Sequence, residues 1–186
     1  MEKIEIIAQI IGIFGMASLI LSYQFKNKFT ILIFQMCGAA FFSINFFLLG
    51  AFAGAIINII NVALSLVYMY KDKTHAYHIA WSIGFSIVYV SAYVLSFLVF
   101  GVEPTPRNLI TEVFPLIGAI TTIISYKIKD ASAIRKIGLI RSPAWLIYGI
   151  LTFSIGSILC EIFTLASIIT GIVRYGEGKR KNIIKE

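Results

Sequence analysis

The chain has 186 residues, of which 59% are apolar and 13% are charged, and its mean hydropathy is +0.89. This composition excludes a water-soluble globule, because too little polar surface is present to solvate one, and it indicates a membrane protein. The net charge of +7 does not indicate nucleic-acid binding, since the basic stretch from Gly178 to Glu186 is short and has no interleaved aromatic residues.

Seven apolar runs follow one another along the chain, each near the ~20 residues that cross ~30 Å of hydrocarbon. They extend over Ile4 to Tyr23, Phe29 to Leu49, Phe52 to Tyr70, Ala76 to Phe100, Leu109 to Tyr126, Ile134 to Thr152 and Ile155 to Arg174. The first run begins within the segment Met-Glu-Lys-Ile-Glu, which is not the basic start of a signal peptide. We therefore predict an all-α, polytopic membrane protein with seven transmembrane helices.

An internal repeat relates the first three predicted spans to the last three. A shift of 103 residues aligns Gln9 with Glu112, Asn45 with Tyr148, Asn58 with Glu161, Asn61 with Thr164 and Lys71 with Arg174. Four crossings separate the two units, so both have the same orientation and are parallel repeats about an axis along the membrane normal. This 3+1+3 plan divides the chain into a first repeat (1–73), a linker helix (74–106), and a second repeat with a short basic tail (107–186).

Basic residues are unequally distributed between the two predicted faces of the membrane. Thirteen lysines and arginines lie on the face with the C-terminus, against Lys3 and Arg107 on the other, while Arg141 lies inside the sixth span. The positive-inside rule then predicts an external N-terminus and a cytoplasmic C-terminus. The same asymmetry favours contact with anionic lipid headgroups.

Two positions in the repeat predict places where a helix can bend. Pro115 interrupts the backbone hydrogen bonds of the fifth span, and Gly12 lies at the matching position of the first. We consider both as candidate hinges; the alternative is that Pro and Gly are simply frequent in membrane helices.

Polar side chains within the spans form the candidate solute site. The pairs Asn58 with Asn61 and Glu161 with Thr164 each share one helix face, because their members are three residues apart. If the faces converge, they line one polar cavity between the repeats. The full candidate set is Asn58, Asn61, Glu161, Thr164, Asn45, Tyr148 and Trp145, with Glu112 and Gln9 as a further polar pair that includes a second carboxylate.

Each candidate also has a structural interpretation. Asn45 can serve as an interhelical hydrogen-bonding residue, Trp145 as a core residue, and Glu112 as an acidic residue in the first turn of its helix. Glu161 is a functional candidate by default, because an ionisable group in a membrane is costly. It would carry a proton or balance a cationic solute, unless it is paired structurally with Arg141.

The sequence has no catalytic or metal-binding motif: HExxH, GxSxG, a P-loop and a Cys/His cluster are all missing. We therefore predict no enzyme activity, no metal and no cofactor.

The segments AQIIGIFGMASLILSY, INFFLLGAFAGAIINIIN, AWLIYGILTFSIGSILCEIF and GIVRY resemble the YgjV-type family of bacterial inner-membrane proteins. The resemblance covers nearly the whole chain and implies a location in the inner membrane. The 3+1+3 plan is in turn similar to the SWEET and PnuC transporters, which implies facilitated diffusion of a small polar solute bound by Asn residues on the third helix of each repeat. Here Glu161 and Thr164 replace those Asn residues in the second repeat.

The leading hypothesis is an alternating-access uniporter for a small polar or cationic solute, bound at Asn58, Asn61, Glu161 and Thr164. The second hypothesis is a membrane receptor or accessory subunit that uses the same fold without transport. Under either hypothesis, the expected partners of the protein are membrane lipid and a small solute, with no nucleic acid, and homo-oligomerisation is left open.

Overall fold

The computed structural model describes residues 3–22, 28–127 and 131–183, and these residues are helical apart from the connecting turns. The helices are α1 (Lys3–Ser22), α2 (Lys28–Leu48), α3 (Phe52–Met69), α4 (Lys71–Thr74), α5 (Ile79–Leu98), α6 (Pro106–Lys127), α7 (Ala131–Leu151) and α8 (Ile155–Ile183). The prediction of an all-α protein is therefore confirmed for the described part of the chain.

The seven long helices coincide with the seven predicted spans to within a few residues at most ends. Two differences are clear: the short helix α4 was not predicted, and α8 continues to Ile183 instead of ending at Arg174. By length and composition, four helices suffice to cross a membrane, namely α1, α3, α5 and α6, and shorter apolar stretches occur at Leu32–Leu48 and Ile155–Thr170. The sixth predicted span, now α7, does not meet this criterion within the described residues.

Six of the long helices close into a ring. Helix α2 packs between α1 and α3, and α7 packs in the same way between α6 and α8. The two three-helix units meet along two seams, one between α1 and α8 and the other between α3 and α6. Helix α5 lies outside the ring and packs against α3 and α6.

The outer surface of the bundle is apolar. Exposed large side chains include Ile59 of α3 at 60%, and Ile87 and Leu98 of α5 at 61% and 77% relative exposure. The interior holds large residues that are fully buried, such as Phe46 and Tyr89. An apolar exterior around a packed interior is suited to hydrocarbon, whereas in water it would promote association.

The turn between α2 and α3 and the turn between α7 and α8 have the same backbone hydrogen bonds. Ala51 N donates to Phe46 O at 2.8 Å, and 103 residues later Ser154 N donates to Gly149 O at 2.9 Å. Both turns contain a residue with positive φ, which is Gly50 (72°) in the first and the non-glycine Phe153 (54°) in the second. The two tight turns place the first residues of α3 and α8 directly against the ends of α2 and α7.

Candidate functional site

A cavity of about 100 Å³ lies inside the ring of six helices. Every helix of the ring contributes to its wall. The lining residues are Leu19 of α1; Gln35, Ala39, Phe42 and Phe46 of α2; Asn58, Asn61 and Ser65 of α3; Thr122 and Tyr126 of α6; Arg141 and Trp145 of α7; and Ser157, Glu161 and Thr164 of α8. The volume is enough for several water molecules and lies below the ~300–1,000 Å³ typical of pockets for drug-sized ligands.

Five residues proposed from the sequence line this cavity: Asn58, Asn61, Glu161, Thr164 and Trp145. The structure thus brings together both members of the two pairs that the repeat aligned. The described lining contains two further pairs of residues at the same spacing of 103, namely Leu19 with Thr122 and Phe42 with Trp145.

Asn45 and Tyr148 do not line the cavity. Both are fully buried and bond to other helices nearer the end of the bundle at which α1 begins, which we call the N-terminal face. Asn45 Nδ2 donates to Ala8 O at 2.7 Å. This contact fits the interhelical hydrogen-bonding role considered for Asn45, and we leave both residues out of the proposed solute site.

Glu161 provides the one carboxylate in the cavity wall among the described residues. Its Oε2 is buried and has no well-formed hydrogen bond to a described residue, although the hydroxyl of Ser142 lies close enough to act on the carboxyl group. Arg141 lies on the same wall and is close enough for its charge to act on the Glu161 carboxyl group. Because a buried polar atom without a partner is costly, this oxygen is a candidate for contact with water or a solute.

Each of the two asparagines of α3 has one atom of its side-chain amide hydrogen-bonded to another group of the protein. Asn58 Nδ2 donates to Gly54 O at 2.9 Å, while Asn61 Oδ1 accepts a hydrogen bond from Tyr89 Oη at 2.5 Å. Asn58 can therefore offer its oxygen to the cavity, and Asn61 its NH₂ group. The Tyr89 contact also connects the cavity wall to α5, the helix outside the ring.

Three aromatic rings form one side of the cavity, which we call the aromatic wall: Phe42, Phe46 and Trp145. The centroid of Phe46 lies 6.1 Å from that of Phe42 and 6.1 Å from that of Trp145. Glycines on the neighbouring helices make room for the outer two rings, since a Cβ at Gly15 would lie 3.2 Å from Phe42 and one at Gly118 would lie 2.3 Å from Trp145 Nε1. These glycines are also 103 residues apart.

At the N-terminal face, the seam between α1 and α8 is closed by a group of hydrogen bonds that we call the first clasp. Gln9 Nε2 donates to Phe153 O at 2.7 Å, and Gln9 Oε1 accepts from Ile155 N at 2.9 Å. Ser154 Oγ donates to Asn45 Oδ1 at 2.6 Å. Side chains of α1 and α2 are thereby fixed to the turn before α8.

The second clasp closes the seam between α3 and α6 with the residues that the repeat aligns with Gln9 and Asn45. Tyr148 Oη accepts a hydrogen bond from Gly54 N at 3.0 Å and donates one to Glu112 Oε2 at 3.3 Å. The Glu112 carboxyl group also accepts a bond from the backbone of Ala53. Glu112 is therefore buried in a seam, away from the cavity, and holds the start of α3.

The two candidate hinges lie beside these clasps. Gly12 is buried and packs against Gly156 so closely that a Cβ on Gly156 would lie 2.3 Å from the Gly12 backbone. Pro115 is fully buried inside the continuous helix α6. Both positions are thus at closely packed points of the ring, and their role as hinges stays a prediction.

Six polar residues of the cavity wall were not predicted from the sequence: Arg141, Gln35, Ser65, Thr122, Tyr126 and Ser157. For Arg141 a signal was present, since an ionisable residue inside a span is a functional candidate. The others are small or uncharged polar residues near the ends of spans, and their orientation follows from helix packing. Tyr126 Oη, for example, contacts Ser65 Oγ and Gln35 Oε1, each at 3.4 Å.

Residues 6–179 of the chain match the family model Imp-YgjV, described as bacterial inner membrane protein. No curated protein and no solved structure gives a significant match to the chain.

Proposed function

The chain belongs to the Imp-YgjV family of bacterial inner membrane proteins, and we propose that it is a transporter for a small polar or cationic solute. In this proposal it works as a uniporter by alternating access. The observation that carries the proposal is the cavity inside the six-helix ring, with a buried carboxylate oxygen of Glu161 that has no well-formed hydrogen bond to a described residue.

The proposed architecture is seven spans in two parallel three-helix repeats joined by α5. Three observations at the spacing of 103 residues support it: the matching hydrogen bonds of the two turns, the matching pairs in the cavity wall, and the two clasps. The order of helix contacts is also the one expected for two such repeats, because rotation of one unit onto the other converts the α1–α8 seam into the α6–α3 seam. Parallel repeats with a solute site between them are a known transporter design.

The conformation supports alternating access with the N-terminal face closed. Both clasps and the Gly12–Gly156 contact lie at that face. The cavity lining extends from residues close to that face, such as Phe46 and Ser157, to residues near the opposite ends of their helices, such as Leu19 and Tyr126. With the topology predicted from charge, the protein is closed toward the outside and its cavity extends toward the cytoplasm. Opening to the outside then requires both clasps to break, with bending at Gly12 and Pro115.

The chemistry of the wall limits the solute. Glu161 would bind a cationic or hydrogen-bond-donating group, because a carboxylate only accepts hydrogen bonds. Asn58, Asn61 and Thr164 would bind the remaining polar groups, which together favour a small and strongly polar solute.

The test is a thermal-shift screen of small polar metabolites on the purified protein, since a bound solute stabilises the folded state by mass action. Hits are then assayed for uptake into proteoliposomes. Glu161→Gln keeps the size of the side chain and removes its charge, and we expect it to weaken binding by roughly 10- to 100-fold through the loss of a charge-assisted hydrogen bond. Glu103→Gln, in an exposed loop, is the matched control and should bind as the unaltered protein does.

Three results would count against this function. If a solute binds but is not taken up, the protein is a receptor or accessory subunit. If Glu161→Gln lowers the melting temperature and leaves affinity unchanged, Glu161 is structural and the proposed site is wrong. If no solute in the screen stabilises the unaltered protein and none is taken up, the transport proposal itself is rejected.

A further inference from the structure

The cavity wall contains charged side chains of both signs. Glu161 of α8 and Arg141 of α7 are the charged residues among its described lining, and the charge of Arg141 acts on the Glu161 carboxyl group. Glu161 Oε2 nevertheless has no well-formed hydrogen bond to a described residue, although Ser142 lies close enough to act on the carboxyl group, so this oxygen can accept a further donor.

The two charged residues are attached at different depths of the bundle. Both helices meet at the N-terminal face, where α7 ends at Leu151 and α8 begins at Ile155. Arg141 lies ten residues from that end of α7 and Glu161 six residues from that end of α8, so the two backbone positions differ in depth by about 6 Å at the ~1.5 Å rise per residue of a helix. A site with a negative and a positive group at different depths fits a solute whose own charges are separated.

Resting on the transport function proposed above, we propose that the solute is a small zwitterion of the amino-acid or betaine type, whose ammonium group binds Glu161 and whose carboxylate binds Arg141. The guanidinium group has five N–H donors and matches a carboxylate with two parallel hydrogen bonds, so it can bind the solute while keeping its other contacts. The ammonium group supplies a partner for the buried Glu161 oxygen.

A solute with one charge fits this wall less well. A simple cation is repelled by Arg141, and a simple anion is repelled by Glu161. A zwitterion pairs with both groups and adds no net charge to a site inside the membrane, where an uncompensated charge is costly.

The aromatic wall and the size of the cavity limit the chemical class of the solute further. Phe42, Phe46 and Trp145 present ring surfaces that favour an ammonium group, including an alkylated one, and that pack against a short carbon chain. The volume of about 100 Å³ admits only a small solute in this conformation. An amine and a carboxylate joined by one or a few carbon atoms meet these conditions.

The experiment compares matched solutes that differ by one charge: L-alanine, ethylamine and propionate, with glycine and glycine betaine as additional zwitterions. The chain has two tryptophans, and Trp81 lies on α5 with its Nε1 bonded to Thr74 O at 2.8 Å. Trp81→Phe therefore leaves Trp145 as the fluorescent reporter of the cavity. Isothermal titration calorimetry of the unaltered protein gives the same affinities without any substitution.

We expect at least one zwitterion to bind at least tenfold more tightly than ethylamine and propionate, because each single-charge analogue loses one charge-assisted contact. Glu161→Gln should reduce the ratio of the affinity for the zwitterion to the affinity for propionate. Arg141→Gln should reduce the corresponding ratio for the zwitterion and ethylamine. If either variant fails to fold, the analogue series on the unaltered protein still decides the question.

Two outcomes would overturn the inference. If ethylamine or propionate binds as tightly as every zwitterion, the solute needs only one charge, and the transport function survives with a different substrate class. If none of the zwitterions binds while another solute from the metabolite screen is taken up, the inference is wrong and the transport function holds. Failure of the transport function is measured separately, by the lack of uptake of any solute.

Discussion

The contact between Gly12 and Gly156 gives a sharp test of the α1–α8 seam. In Gly156→Ala, the new Cβ would lie 2.3 Å from both the carbonyl carbon and oxygen of Gly12, more than ~1 Å closer than an ordinary van der Waals contact between carbon atoms. The obstacle is backbone, so no side-chain rotation relieves it, and α1 must move away from α8. Small residues at such crossings are what allow membrane helices to approach closely.

The expected magnitude follows from two opposing effects. Overpacking costs about 1–3 kcal/mol, while replacing Gly by Ala inside a helix gains up to about 1 kcal/mol. The matched control is Gly84→Ala on α5, where a Cβ meets nothing within 4 Å. This substitution therefore has the gain in helix propensity without the cost of overpacking. We expect Gly156→Ala to lower the melting temperature of the purified protein and Gly84→Ala to leave it equal or higher. Equal stabilisation by both substitutions would refute the close crossing.

Further predictions concern the second clasp, the second turn and the topology. Tyr148→Phe removes a buried hydroxyl that has two partners and should destabilise the protein by about 1–3 kcal/mol, whereas Tyr70→Phe at an exposed ring should have little effect on the melting temperature; the opposite order would contradict the clasp. Phe153→Gly should maintain or raise the melting temperature, because Phe153 is 75% exposed and has a left-handed backbone that costs a non-glycine residue about 1–2 kcal/mol; a clear loss would show that the ring contributes packing. A reporter fused after Glu186 should be active only in the cytoplasm and one before Met1 only outside, and activity of both reporters in the cytoplasm would exclude the seven-span topology.

The helices were largely predictable from the sequence, because long apolar runs bounded by charges specify membrane helices with few alternatives. The exceptions have local causes. Helix α4 has four residues, which is too short to produce a periodic pattern. The extension of α8 beyond Arg174 is rich in polar and charged residues. A helix end that is predicted from hydropathy is placed where the apolar run ends.

The site was only partly predictable. The pairs Asn58 with Asn61 and Glu161 with Thr164 reach the cavity because third-helix residues at that spacing share a face. Asn45 is adjacent to Phe46, which lines the cavity, yet Asn45 faces a seam, so depth alone does not distinguish a seam from a cavity. That distinction depends on the rotation of each helix about its axis, which is set by packing contacts such as Gly118 with Trp145.

The two halves of the ring share a plan and differ in charge. At the position where α3 has Asn58, α8 has Glu161, and where α1 contributes Leu19, α6 contributes Thr122. Arg141 has no charged counterpart, because the residue 103 positions earlier is Gly38. Both charges of the described wall therefore belong to the α6–α8 unit, while the α1–α3 unit contributes uncharged polar and apolar side chains. Such a division would orient an asymmetric solute within a nearly symmetric ring, since only one side of the cavity can pair with its charged groups. Under the proposed function, neutralising substitutions on α7 and α8 should therefore alter solute selectivity, whereas substitutions on α3 should chiefly alter affinity.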